Sequence, residues 1–332
     1  MAKVVLGLSG GVDSAVSARL LMAQGYEVSG LFLDIGNEGS RRDAVDAADA
    51  LGIELKVLDI SREIEEHVCR PFADSYLRGE TPNPCVLCNP AVKFASLAAR
   101  ADELGAEFIA TGHYARAEGG AIYKGMPSND QSYMLCRVRR EQAARLILPL
   151  GGYEKRETRA AAESFGMAVA HKADSMEICF IPDKDYAGWL ARRGALPPEG
   201  NFVYRGEVLG RHEGIHRWTV GQRIPGLYDG RKLYVSEIRP AENEIAVVPW
   251  EELFTRNVEV RDMNWLIDEP TSPIRASVRV RHTKWECPQC TAVPLENGRV
   301  SIQADSDLRA PARGQAAALY DGERLLGGGF IM

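Results

Sequence analysis

From the N-terminus to Arg193, short β-branched apolar runs alternate with stretches of helical period, the pattern of a parallel sheet covered by helices on both faces. The apolar runs predict strands at 4–8, 27–33, 54–59 and 107–111, and the periodic stretches predict helices at 15–24, 41–51 and 92–104. Around Leu196-Pro197-Pro198-Glu199-Gly200 the pattern becomes a proline-glycine linker and then short strands with frequent turn residues. Strands are expected at 203–209, 233–239 and 244–248, with the turn between the last two at 240–243, and further strands at 276–281, 299–304 and 316–320. The expected fold class is therefore α/β: a doubly wound parallel sheet over 1–195, a central β-rich unit over 196–253 and a small β-barrel over 254–332. Ligands of such sheets bind beyond the carboxyl ends of the strands, so Ser9, Leu33, Asp59 and Gly112 should surround one crevice.

With 332 residues, 45% of them hydrophobic and 26% charged, the chain has the make-up of a soluble protein able to build two or three cores of its own. No apolar run approaches the roughly 18 residues that cross a bilayer. The chain enters its first strand without a charged leader and cleavable apolar stretch, so no membrane partner and a cytoplasmic address are expected. Seven cysteines, an odd number, then read as reduced thiols or ligands instead of a disulfide framework. The net charge of −6 is weak evidence against a nucleic-acid partner, because the placement of positive charge matters more than its sum. Arg137, Arg139 and Arg140 form one basic stretch, and Arg275, Arg279, Arg281, His282 and Lys284 another; each reads as a solvated face or as a phosphate-binding surface.

The candidate chemistry begins at Ser9-Gly10-Gly11-Val12-Asp13-Ser14, between the first strand and the first helix. Small residues let backbone N–H groups close around an anion, and the helix N-terminus adds partial positive charge. No lysine follows the glycines, so this is not the ATPase loop that grips β- and γ-phosphates. It resembles the pyrophosphate loop of ATP pyrophosphatases, which split ATP between the α- and β-phosphates and adenylate a carbonyl oxygen.

Downstream, Thr81-Pro82-Asn83-Pro84-Cys85-Val86-Leu87-Cys88-Asn89 holds a Cys-x-x-Cys stiffened by prolines ahead of a helix, whose N-terminus should depress a thiol pKa. A third thiol, Cys179, lies in the polar segment Asp174-Ser175-Met176-Glu177-Ile178-Cys179-Phe180. Cys69 and Cys136 have no motif around them and read as small buried apolar residues. Cys287-Pro288-Gln289-Cys290 lacks the second pair that a zinc site needs and reads first as structural, although His282 leaves a partial metal site open.

Taken together, these segments resemble the tRNA-specific 2-thiouridylases nearly end to end. The resemblance rests on Gly7-Leu8-Ser9-Gly10-Gly11-Val12-Asp13-Ser14, on Thr81 to Asn89, on Ala110-Thr111-Gly112-His113-Tyr114 and on Asn129-Asp130-Gln131-Ser132-Tyr133. It continues through Asp174-Ser175 to Cys179-Phe180-Ile181, Thr219-Val220-Gly221-Gln222-Arg223 and Leu326-Gly327-Gly328-Gly329. It implies an N-terminal unit like that of adenine nucleotide alpha-hydrolases and an enzyme that replaces the C2 oxygen of wobble uridine 34 with sulfur after ATP adenylates it. By the same carry-over Gly7, Leu8, Ser9, Gly10, Gly11, Val12, Asp13, Ser14, Leu33 and Gly112 contact ATP, with Asp13 a partner for Mg²⁺. Asn83, Pro84 and Cys85 meet the target base, while Asn129, Asp130, Gln131, Arg281 and His282 meet the tRNA. Cys179 would carry a persulfide that Cys88 attacks, with sulfur supplied by a donor protein or inorganic sulfide. Many members have Asp where this chain has Cys85; Cys85, Cys88 and Cys179 therefore also suit three irons of a [4Fe–4S] cluster whose open iron presents hydrosulfide. Two other readings of the loop and thiols are an amidating ligase that adenylates a carboxylate, which predicts no cysteine requirement, and a non-catalytic tRNA-binding or iron–sulfur module.

Overall fold

A computed structural model describes residues 1–172, 178–194, 196–228, 230–282 and 287–332. Asp174, Ser175, Met176, Glu177 and Lys284 lie outside the described residues. The first unit opens with β1 (Lys3–Gly7), α1 (Val12–Ala23), β2 (Glu27–Asp34), α2 (Glu38–Leu51) and β3 (Leu55–Asp59), followed by the short α3 (Ser61–Ile64). Then come α4 (Arg70–Leu77), α5 (Pro84–Cys88), α6 (Phe94–Glu103) and β4 (Phe108–Ala110). The hairpin β5 (Ala115–Glu118) and β6 (Ala121–Lys124), α7 (Arg140–Ala143), β7 (Leu146–Ile147), α8 (Lys155–Ser164) and α9 (Tyr186–Arg192) complete it.

Strands β1 to β4 and β7 form a parallel sheet in the order β3-β2-β1-β4-β7. Its centre is buried on both faces, as the continuous apolar run in β1 requires: Val4, Leu6 and Leu8 pack with Ala18, Leu21 and Ala48 on one side. Val5 packs with Phe94, Leu97 and Ile109 on the other. Helix α2 begins at Asn37, whose side chain accepts from the Ser40 N–H, and ends at the left-handed Gly52. The expected strands and helices are all present with shifted ends. The first helix starts at Val12, so Asp13 and Ser14 lie in its first turn, and the expected helix 92–104 begins at Phe94 behind a π-helical turn, Asn89–Lys93. Chain order reverses between β1 and β4, which opens a crevice at their carboxyl ends.

The central unit is a five-stranded sheet, β10-β11-β12-β8-β9, made from β8 (Gly200–Tyr204), β9 (Glu207–His212), β10 (Arg223–Tyr228), β11 (Lys232–Arg239) and β12 (Glu244–Pro249). The single strand expected at 203–209 is in fact this first hairpin: Arg205 and Gly206 both take positive φ, 49° and 88°, and reverse the chain in two residues. The last unit comprises β13 (Phe254–Trp265), β14 (Ile274–Arg279), β15 (Gln289–Pro294), β16 (Val300–Arg309), β17 (Ala316–Asp321) and β18 (Arg324–Ile331). Pairing of β13 with both β16 and β18 closes these strands into an antiparallel barrel.

The barrel is joined to the first unit. β6 pairs with β18 at Tyr123 and Arg324, and Ala316, Ala318, Tyr320, Leu325 and Phe330 share one core with Val5, Phe94 and Ile109. No helix among the described residues is long and apolar enough to cross a membrane.

Candidate active site

The phosphate loop leaves β1 at Ser9 and turns at Gly10, where φ is 72° and a Cβ would stand 2.5 Å from the backbone of Asp43 in α2. A side chain there would both strain the backbone and push α2 away. The Ser14 hydroxyl accepts from the Ser9 N–H at 3.1 Å and donates to the Gly11 carbonyl at 3.1 Å, which curls the loop onto the helix N-terminus. Gly112, just past β4, abuts the loop: its Cβ position lies 3.0 Å from the backbone of Asp13. The two loops at the switch point thus touch, as the strand order demands.

Two lysines distant in sequence reach the loop that has none of its own. The Lys155 ammonium, on the first turn of α8, sits 2.7 Å from both carboxylate oxygens of Asp13, whose Oδ1 also accepts from the Tyr114 hydroxyl at 2.6 Å. Lys172 donates to the Gly10 carbonyl at 3.1 Å and to Asp43 at 2.5 Å. Neither lysine carries a local motif. Tyr114 was visible only as the end of the Ala110-Thr111-Gly112-His113-Tyr114 run.

Leu33 lies half-buried near the end of β2. The next residue, Asp34, is buried; burial works to raise its pKa, but hydrogen bonds from Arg41 and the Gly36 N–H outweigh it and hold the carboxyl below its ordinary range. Beyond β2 and β3 a cavity of about 410 Å³ is lined in part by Ile35, Asn37, Ser61, Cys179 and Phe180. Cys179 therefore opens onto the carboxyl end of the sheet, on the side expected to hold the nucleotide.

The segment leading to the other thiols is fixed by the barrel. The Thr81 N–H donates to the Arg313 carbonyl at 2.7 Å, and Gln315 Nε2 donates to the Thr81 carbonyl at 2.8 Å. Asn83 then caps α5 by accepting from the Cys85 N–H, and Pro84 occupies its first turn. Cys85 is exposed and Cys88 half-buried. Cys88 ends α5 instead of opening it, so the expected fall in its pKa does not occur: burial pushes the thiol up to about 11, against the opposing pull of Lys93. Cys179 is exposed at the cavity, yet desolvation by the surrounding protein raises its thiol as well, and negative charge on Cys85 would raise it further. Lys93 is the cation that favours thiolate at both positions, and sequence reasoning did not single it out. His113 stacks on Phe94 with ring centroids 6.0 Å apart; burial, then the Lys93 charge, hold it neutral.

Cys69 and Cys136 are buried free thiols, and Cys290 is buried in β15 with Cys287 half-buried beside it. Among the described residues no three His, Cys, Asp or Glu side chains converge as metal ligands, whether at Cys85, Cys88 and Cys179 or at Cys287, Cys290 and His282.

The residues expected to meet tRNA form one connected patch. The Asp130 carboxylate is buried and accepts from the Gly125 and Ser132 N–H groups, the Ser132 hydroxyl and Arg279, the last at 2.7 Å. The His282 ring meets the Asp130 carbonyl at 3.3 Å. Gln131 accepts from the Tyr114 N–H at 3.0 Å, and Asn129 donates to the Tyr153 carbonyl at 3.3 Å. Arg281 bridges the central unit and the barrel by donating to the carbonyls of Val220 and Ala310. The two basic stretches are largely engaged within the chain: Arg275 pairs with Asp305, Arg140 with Asp268, and Arg137 lies over the Phe330 ring at 4.5 Å.

Three family profiles match the chain in order: "tRNA methyl transferase HUP domain" over residues 2–183, "tRNA methyl transferase PRC-barrel domain" over 195–249 and "Aminomethyltransferase beta-barrel domain" over 255–331. The chain is 43% identical to the tRNA-specific 2-thiouridylase MnmA of Syntrophotalea carbinolica, covering 99% of this chain and 98% of that one. It is 42% identical to the protein of the same name from Pelotomaculum thermopropionicum, covering 99% and 97%. The corresponding protein of Geotalea uraniireducens is 39% identical over 99% of this chain and 94% of its own length.

Proposed function

The chain belongs to the tRNA-specific 2-thiouridylase family, and we propose on that premise that it carries out ATP-dependent 2-thiolation of wobble uridine 34 in tRNA. The observation that supports this reading best is the gathering, at the carboxyl end of one parallel sheet, of a lysine-assisted phosphate loop and the cavity onto which Cys179 opens. Sulfur transfer needs a sulfur carrier, so the thiols suit the relatives' name better than the methyl-transfer label of the profiles.

In this reading the backbone of Ser9 to Ser14 and the start of α1 hold the ATP phosphates, with Gly7, Leu8, Leu33 and Gly112 against the nucleotide. The uracil O2 attacks the α-phosphorus, the bond to the bridging oxygen breaks and pyrophosphate leaves. Lys155 and Lys172 counter the charge of that leaving group, the role for which the loop carries no lysine. A carboxylate such as that of Asp13 at a phosphate site matches how Mg²⁺ is usually held, by one or two carboxylates together with substrate phosphates. Mg²⁺ bound there would shield the phosphate charge, and Lys155 would then release Asp13.

Asn83, Pro84 and Cys85 border the target base, which must leave its stack at a cost of a few kcal/mol, least in a single-stranded loop. Cys179 carries a persulfide. Cys88 loses its proton and attacks the Cys179 sulfur, the S–S bond of the persulfide breaks, hydrosulfide departs and a Cys88–Cys179 disulfide forms. Hydrosulfide adds at C2 of the adenylated uridine and AMP leaves; a thiol reductant returns two electrons to the disulfide. Cys85, Cys88 and Cys179 do not converge as metal ligands, so no step here runs through an iron–sulfur cluster.

Cys88→Ser and Cys179→Ser should each abolish 2-thiouridine in tRNA, read by nucleoside mass spectrometry, while ATP binding persists. Full 2-thiouridine formation in either variant contradicts the thiol relay. Cys85→Asp should retain persulfide-dependent activity; its loss, together with iron in anaerobically purified protein, would overturn the relay.

A further inference from the structure

We propose that a cavity on the central unit, away from the phosphate loop, binds an unpaired nucleotide of the tRNA by stacking it on Trp250. This inference rests on tRNA being the substrate. The cavity, about 600 Å³, is lined by Arg231, Lys232, Tyr234, Trp250 and Glu251, where β11 begins and a short 3₁₀ turn leads into β13. Its aromatic rings meet edge to face: the Trp250 ring centroid lies 5.1 Å from that of Tyr234 and 5.7 Å from that of Phe254, which is itself exposed.

Cations surround these rings. The Arg309 guanidinium lies 4.5 Å over the Trp250 ring, and Arg231 donates to the Tyr204 hydroxyl at 3.1 Å. Lys232 and Arg231 are both exposed at the cavity. Of the neighbouring acids, Glu252 is paired with Arg205 at 3.2 Å, while Glu251 is exposed and is the one acid among the five lining residues. Flat aromatic faces rimmed by positive charge are the arrangement that holds single-stranded nucleic acid, with a base on the ring and phosphate on the cations.

The cavity also continues the patch expected to meet tRNA. Arg309 adjoins Ala310, whose carbonyl accepts from Arg281, and His282 follows Arg281 and reaches Asp130. Arg281, Arg309 and Lys232 thus link the Asn129–Gln131 turn to the cavity. A sulfur-donor protein could meet the same surface, but the ring-and-cation chemistry favours nucleic acid.

The test uses the full chain, with equilibrium binding of an unmodified tRNA transcript carrying U34 at several salt concentrations, alongside 2-thiouridine formation. Trp250→Ala should weaken tRNA binding about tenfold, as loss of one stacked base does, and Trp250→Phe should restore most of it. Lys232→Glu should reduce the slope of log affinity against log salt by about one. Thiolation by Trp250→Ala and Lys232→Glu should fall at limiting tRNA and recover as tRNA concentration is raised. If the unmutated protein binds and thiolates tRNA but the variants bind it equally well, this inference falls and the proposed function stands. Should the unmutated protein neither bind nor thiolate tRNA, both fall. Unchanged tRNA affinity with impaired uptake of sulfur from a donor protein would assign the cavity to that partner instead.

Discussion

Cys88 and Cys179 sit in surroundings that oppose their ionisation. Burial raises Cys88 to about 11, and Lys93 works against burial. Because the raised pKa keeps the neutral form dominant below that value, alkylation of Cys88 in the free protein should be slow at neutral pH and climb as pH approaches about 11. Lys93→Gln removes a charge that favours thiolate, so its profile should move to higher pH. Peptide mass spectrometry of the Cys88 segment reads both; a midpoint near neutrality would mean that burial does not govern this thiol. At this scale the sequence revealed residue types more readily than partners. The loop and the cysteines were legible because each sits in a short motif. Lys155 and Lys172 were not, since their contacts with Asp13 and Gly10 come from chain folding back across 142 and 162 residues.

Elements were legible where packing supplied a period. Strands β1 to β4 of the parallel sheet and the three expected helices follow from apolar and periodic runs, and only their ends moved; the edge strand β7, two residues long, has no run of its own to announce it. The hairpin of β8 and β9 was missed because its turn is Arg205-Gly206; arginine is an uncommon occupant of positive φ, so Val203, Val208 and Leu209 read as one strand. Asp130 shows a second limit. Read as a tRNA contact, it also ties the end of β6, its own turn and Arg279 of β14 together. Its pair with Arg279 is nearly buried, with side-chain exposures of 8% and 11%. Asp130→Asn should therefore lower unfolding stability by about 3 kcal/mol, the cost of removing the negative charge that faces a nearly buried cation. Denaturant titration checks this; loss of tRNA affinity with unchanged stability would instead give Asp130 a purely binding role.

The changes in sequence pattern divide the chain into three units, yet the outer two share a core. Leu266, Ala316, Tyr320 and Phe330 of the barrel pack with Val5, Phe94 and Tyr133, and the Tyr133 hydroxyl donates to the Ala316 carbonyl at 2.8 Å. Nothing in local pattern announces this, because an inward-facing side chain reads alike whether its neighbour lies within the same unit or in another. Calorimetry should accordingly show the first unit and the barrel unfolding in one transition, and a chain cut after residue 253 should aggregate. Separate transitions would make them independent bodies. The shared core also places the barrel loop at Arg313–Gln315 against Thr81, so the thiol segment is positioned by the last unit as well as the first. The account as a whole is tested most directly by the products of one reaction: full-length protein, tRNA with U34, Mg-ATP and a persulfide donor. It predicts 2-thiouridine at position 34 with one AMP and one pyrophosphate released for each sulfur incorporated. Sulfur-free tRNA, or ADP and phosphate in place of AMP and pyrophosphate, would contradict it.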